Sequence, residues 1–171
     1  MRLVHLSRRF FGSLRPGSPS PEDDAWARAH MRPGERDLWD LMSNQDRRHA
    51  IGVARRVERA LGNEASRPIL AAALLHDVGK IDSGLGTYGR VVATISGSIA
   101  GVPTAAQWTE SRVFTRKVGL YLRHPEIGAD RLALAGSDEL TVTWTREHHW
   151  PETSWSLPHH IATALKESDD D

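Results

Sequence analysis

From residue 21 onward the apolar positions recur at helical spacing. Pro21 with Glu22, Asp23 and Asp24 reads as a helix start, because acidic residues in a first turn complement the helix dipole. That helix continues through Ala25–His30, and Pro33-Gly34 is expected to end it. Leu38, Leu41 and Met42 then mark a short helix over Glu35–Met42. Ser43 is placed to cap the next one, with Asp46 three positions on. Ile51, Val53, Ala54, Val57 and Leu61 carry its packed face as far as Gly62-Asn63. Ser66 and Pro68 open a helix over Ile69–Val78 that is apolar nearly all round, so it is predicted to be central and buried. Further helices are predicted near 107–122, 125–135, 138–149 and 158–168, bounded by Pro125, Gly136-Ser137 and Pro158. No stretch sustains the two-residue alternation of a strand, so the predicted fold class is all-α, a helical bundle around the 69–78 helix.

The ends differ from the body. Residues 1–15 hold Arg2, Arg8, Arg9 and Arg15 and no acid, with Leu3, Leu6, Phe10 and Leu14 at positions that would share one helical face. Such a segment is either a weak membrane-surface contact or a solvated tail. Residues 16–21, PGSPSP, read as a linker, which divides the chain into a basic tail and linker at 1–21 and a domain at 22–171. The longest weakly polar run, Val91–Val102, is too short to span a bilayer, and His5, Ser7, Arg8 and Arg9 interrupt any signal-peptide core. A cytoplasmic location is expected.

Composition narrows the chemistry. Lys+Arg and Asp+Glu both number 22 in the 171 residues, which argues against a strongly basic nucleic-acid binder, and no specific nucleic-acid partner is expected. There is no cysteine, which excludes disulfides, thiolate zinc sites, iron–sulfur clusters and a cysteine nucleophile. With nine histidines and no thiol, any bound metal sits on nitrogen and oxygen.

The end of the apolar helix carries the strongest signal. His76 and Asp77 are costly to bury without a partner, and a divalent metal is a suitable one; Asp can bridge two metals through its two oxygens. Gly79 ends the helix in this reading, and Lys80, one turn beyond His76, can meet a phosphate. A purely structural hydrogen-bonded pair is the alternative. His148 and His149, adjacent on a predicted helix, would point about 100° apart, so that one ligates while the other packs or meets phosphate. His124 could instead be a helix cap before Pro125. His159, His160, His5 and His30 are expected to be solvated, and the six tryptophans to be mostly core, with Trp150 and Trp155 beside the double histidine as the exceptions.

In their order along the chain, these residues resemble the HD-domain metal-dependent phosphohydrolases, closest to the HDIG and HD-GYP branch. The resemblance covers 44–171. His49 stands like the family's first histidine, His76-Asp77 like its namesake pair followed by Lys80, His124 like the HPxxGA histidine, His148-His149 like the double histidine, and Asp169 like the last acid. The resemblance implies two divalent transition metal ions (Mn, Fe, Ni or Zn). His49, His76, Asp77 and Asp169 would hold one, and His124, His148 and His149, with Asp77 bridging, the other. It implies hydrolysis of a small phosphorylated, nucleotide-like substrate (a nucleotide or cyclic dinucleotide phosphoester) by a metal-activated hydroxide. Asp77 and Lys80 are then the catalytic residues, and Lys80 neutralises phosphate oxygens. The chain departs from the branch in having His149-Trp150-Pro151 rather than a Gly-Tyr-Pro motif, and in having Gln45 where trinuclear relatives place a glutamate. A catalytically weak module that senses a nucleotide or binds a partner is the alternative these departures imply.

Overall fold

The computed structural model describes residues 17–84 and 113–170. Among them are eight α-helices and no strand, so the fold is all-α. They are α1 (Pro21–Ala29), α2 (Pro33–Leu41), α3 (Asn44–Leu61), α4 (Arg67–Leu75), α5 (Val113–Leu122), α6 (His124–Leu134), α7 (Glu139–Glu147) and α8 (His159–Asp170). The basic segment 1–15 and most of the 81–118 stretch lie outside the described residues.

Local sequence chemistry sets most of the boundaries. Ser20 Oγ accepts the amide of Asp23 at the start of α1, and Ser43 Oγ accepts that of Asp46 at 3.1 Å at the start of α3. Each takes up one of the amide donors that a helix start leaves unpaired. Gly62 and Gly136 follow α3 and α6 with φ of 53° and 75°, backbone that side chains with a Cβ avoid. Pro33 does not close α1 as expected: the chain turns at His30–Arg32, and Pro33 begins α2. A proline belongs in a first turn, where its missing N–H costs nothing.

Helix α4 is the centre. Ile69 to Leu75 are all buried, and α3 and α7 pack on it. The surrounding core takes Val53, Ala54 and Val57 from α3, Leu132 from α6, Trp144 from α7, and Ala162 and Leu165 from α8. Two tryptophans, Trp39 and Trp144, are fully buried, Trp26 and Trp155 pack against the core, and Trp150 is exposed.

The expected helix 69–78 is shorter than predicted. It stops at Leu75, and a 3-10 turn runs over Val78–Ser83. Gly79 therefore does not end the helix but sits within that turn, where it permits a backbone contact. A Cβ on Gly79 would lie 2.0 Å from the His124 carbonyl oxygen and 2.7 Å from the Gly128 nitrogen. Gly128, one turn into α6, faces back: its Cβ would meet the Gly79 nitrogen at 2.9 Å. Two glycines thus bring the turn carrying Asp77 onto the start of the helix carrying His124.

Gly79→Ala must separate two backbones rather than shift a side chain. Overpacking of this kind costs about 1–3 kcal/mol, and the upper end is expected here. Urea unfolding of the variant measures it; a stability within about 0.5 kcal/mol of wild type, the usual range for an inert substitution, contradicts the contact's role.

Candidate metal centre

The apolar helix α4 ends inside the core, so the residues after it enter a region shielded from water. His76 is 2% and Asp77 5% exposed. The 3-10 turn brings Lys80 back to Asp77 Oδ2, with which it pairs. The start of α6 adds His124, 4% exposed, and the end of α7 adds His148, 1% exposed. Helix α3 supplies His49, and the last turn of α8 supplies Asp169.

Asp77 lies between two groups. Its Oδ1 is 3.1 Å from His124 Nε2 and 3.9 Å from His148 Nε2. Its Oδ2 faces Lys80 and lies 3.4 Å from His76 Nε2. Asp169 Oδ1 completes the first side, 3.0 Å from His49 Nε2 and 3.5 Å from His76 Nε2. Two sets of ligand atoms lie close enough together to hold a metal ion: one from His49, His76 and Asp77, the other from His124, His148 and His149.

Three of these rings are held in one way. Each is positioned so that its Nδ1–H donates to the carbonyl three residues earlier: His76 to Ala73 at 2.9 Å, His124 to Tyr121 at 2.7 Å and His148 to Thr145 at 2.8 Å. A carbonyl accepts only from an N–H, so the bond fixes the proton on Nδ1 and turns Nε2 inward. In all three, Nε2 is buried and makes no hydrogen bond among the described residues. A buried polar atom without a hydrogen bond is uncommon, and the three Nε2 atoms here all face the carboxylates of Asp77 or Asp169 at 3.1–3.9 Å. His30 also sets its Nδ1 on a backbone carbonyl, that of Trp26 four residues back at 2.9 Å, but it stands apart at the end of α1, so a ring–backbone bond alone does not make a ligand.

The electrostatics suit a cation. Burial opposes the charge on Asp77, but Lys80 and His76 outweigh it and hold the carboxyl well below the ordinary carboxylate range. Burial also opposes a proton on His76, yet Asp77 and Asp169 together raise it to about 10. In metal-free protein that proton occupies the place between two carboxylates that a metal would take. His148 differs: burial pushes it well below the ordinary imidazole value, and the neighbouring histidines push the same way, so its ring is neutral.

The expectation that His148 and His149 point apart is overturned. The predicted helix 138–149 ends at Glu147, so both histidines follow the last helical turn, and their ring centroids are 4.1 Å apart on the same group as His124. Their exposure still differs, His148 being buried and His149 exposed. Lys80, expected to be available to phosphate, is engaged with Asp77. His159 and His160 are exposed and pair with Glu152 and Glu64, and the neighbouring acid Asp170 is exposed and pairs with Lys166.

One contributor carries no sequence signal. Buried Glu147 accepts the Ser156 amide at 2.8 Å and the Ser156 hydroxyl at 2.6 Å, which closes the segment after the double histidine back onto α7. A glutamate before two histidines looks like any solvated helix residue; only its burial, 6% exposed, reveals the clasp.

Asp77→Asn removes the anion between Lys80 and the histidines. Lys80 is 17% exposed and keeps a route to water, so the expected loss in metal-free protein is about 1–3 kcal/mol, below that for a fully enclosed pair. A urea midpoint equal to wild type in chelator-treated protein would show that Asp77 is not the electrostatic centre of the cluster. No family model, no curated protein and no solved structure matches this chain significantly.

Proposed function

We propose that this protein is a metal-dependent phosphohydrolase that acts on a nucleotide or cyclic dinucleotide phosphoester with two divalent transition metal ions, Mn, Fe, Ni or Zn. The observation that carries the reading is the convergence of three buried Nε2 atoms, each turned toward a carboxylate, and two carboxylates on one centre. Imidazole and carboxylate are the donors that borderline transition metals take, and Asp77 presents one oxygen to each side, as a bridging ligand does. The order of His49, His76-Asp77, Lys80, His124, His148-His149 and Asp169 along the chain, with its resemblance to HD-domain phosphohydrolases, supports the choice of reaction.

His49, His76, Asp77 and Asp169 would hold one ion and His124, His148 and His149, with Asp77 shared, the other. When bound, such a pair of ions supplies an activated water and a Lewis acid for a phosphoryl oxygen. The chain's own part is positioning and charge. The carbonyls of Ala73, Tyr121 and Thr145 hold three imidazoles in the ligating tautomer. The buried floor of α4 limits water around Asp77. Lys80 carries its ammonium beside the same carboxylate, and exchanging that partner for a phosphate oxygen gives the substrate's charge a neutralising contact. His149 is the exposed member of the second ligand group.

Two experiments test the reading. Adding Mn or Zn to chelator-treated protein at about 100 times Kd is expected to stabilise it by about 2.7 kcal/mol. His148→Ala abolishes that gain, whereas His30→Ala, which removes a ring whose Nδ1 also bonds a backbone carbonyl, retains it. Equal gains in both variants would rule out the assignment of the site. The second joins metal analysis to a panel of phosphomonoesters and phosphodiesters. Wild type is expected to carry at least one transition metal per chain after Mn or Fe supplementation and to hydrolyse a member of the panel, with Asp77→Ala at least about 100-fold slower. Less than one metal per chain, or unchanged turnover in Asp77→Ala, defeats the proposal. Metal and nucleotide binding without turnover would favour a sensing module instead.

A further inference from the structure

Asp169 is an awkward place for a ligand. It lies on the last turn of α8, where helices fray, and its neighbours Glu167 and Asp170 are exposed while Ser168 and Asp169 are buried. Something must hold that turn against α3. Seven residues beyond His49, and so on the same face of α3, stands Arg56. Its Nε donates to the Ser168 carbonyl at 2.8 Å. That carbonyl is one of the last four of α8, which have no acceptor role within the helix, and a guanidinium there also suits the negative end of the helix dipole. One face of α3 therefore grips α8 twice, through Arg56 on the backbone of residue 168 and through His49 on the side chain of residue 169.

We propose that Arg56 is a positioning residue for the metal centre: its bond to the Ser168 carbonyl fixes the last turn of α8 so that the Asp169 carboxylate reaches His49 and His76. The inference rests on the metal reading above. Arg56 touches none of the proposed ions; it acts through Asp169. Arginine fits because Nε–H projects sideways from a long stem, which lets the side chain lie along the α3–α8 seam while donating to the backbone. Lysine can replace the charge but not that fixed direction.

The test uses the full chain, treated with chelator and titrated with Mn alone by calorimetry, in wild type, Arg56→Met, Arg56→Lys, Asp169→Asn and the double variant Arg56→Met/Asp169→Asn. Arg56→Met is expected to weaken Mn binding about 10–100-fold, the usual effect of losing a partner that orients a ligand, and Arg56→Lys to recover part of it. Because Arg56 acts through Asp169, the double variant should bind no more weakly than Asp169→Asn alone. Hydrogen exchange in metal-free protein reads the same claim without metal: amides of residues 165–170 should exchange faster in Arg56→Met than in wild type. Wild-type Mn affinity in Arg56→Met, losses that multiply in the double variant, or unchanged exchange in the last turn of α8 would each overturn the inference. If wild type itself takes up no Mn or other transition metal, the metal reading fails and this one falls with it; if wild type binds and Arg56→Met binds equally well, only the positioning role fails.

Discussion

A hydrogen bond from an imidazole Nδ1 to the carbonyl three residues back, repeated at His76, His124 and His148, sets what this protein's interior can do. Each bond places a ring proton on Nδ1 and turns Nε2 inward, where it is a bare lone pair whenever the ring is neutral. All three histidines stand just past or at the first residue of a helix: His76 after α4, His124 at the start of α6, His148 after α7. The preceding turn there supplies a carbonyl that no helical amide claims. The same irregular backbone that ends a helix thus makes the acceptor that orients these three rings, which gather at helix ends, while His49 joins them from a face of α3.

The remaining architecture keeps those ends together. Helix α4 is buried nearly all round, so its end projects His76 and Asp77 into the protein rather than into water. The Gly79–Gly128 contact seats the following turn on α6 and fixes Asp77 beside His124. Arg131 adds a bidentate pair with Asp82 at 2.6 and 2.5 Å, from α6 to the same turn. Helix α7 packs on both α4 and α6 and delivers His148 between them. Asp77 then faces Lys80 and three imidazole nitrogens at once, so one carboxylate ties the ends of α4, α6 and α7 together.

Much of this was legible in the sequence. The helical periods, the serine cap at Ser43 and the all-apolar run at Ile69–Leu75 are local signals, and local signals decide the elements. The resemblance picked out Asp169, which is buried, whereas its neighbour Asp170 is exposed. What escaped was set by contacts between distant segments. The α4 helix ends early because the turn after it must meet α6, which nothing in residues 69–78 announces. Treating 138–149 as one helix sent His148 and His149 apart, whereas the true end at Glu147 brings them together. Pro33 reads equally well as a stop or a start, and only the turn at His30–Arg32 decides between them. The roles of Glu147 and Arg56 depend on partners at Ser156 and Ser168, the second of them 112 residues away.

If the inward Nε2 atoms of His76, His124 and His148 hold metal, anomalous diffraction from crystals grown with zinc or manganese will show density peaks within bonding distance of these three atoms, about 2.0–2.1 Å for zinc, with Asp77 between the two groups. Saturating metal that leaves the cluster without a peak, or a peak bound through Nδ1 with the carbonyl bonds broken, would contradict the metal reading.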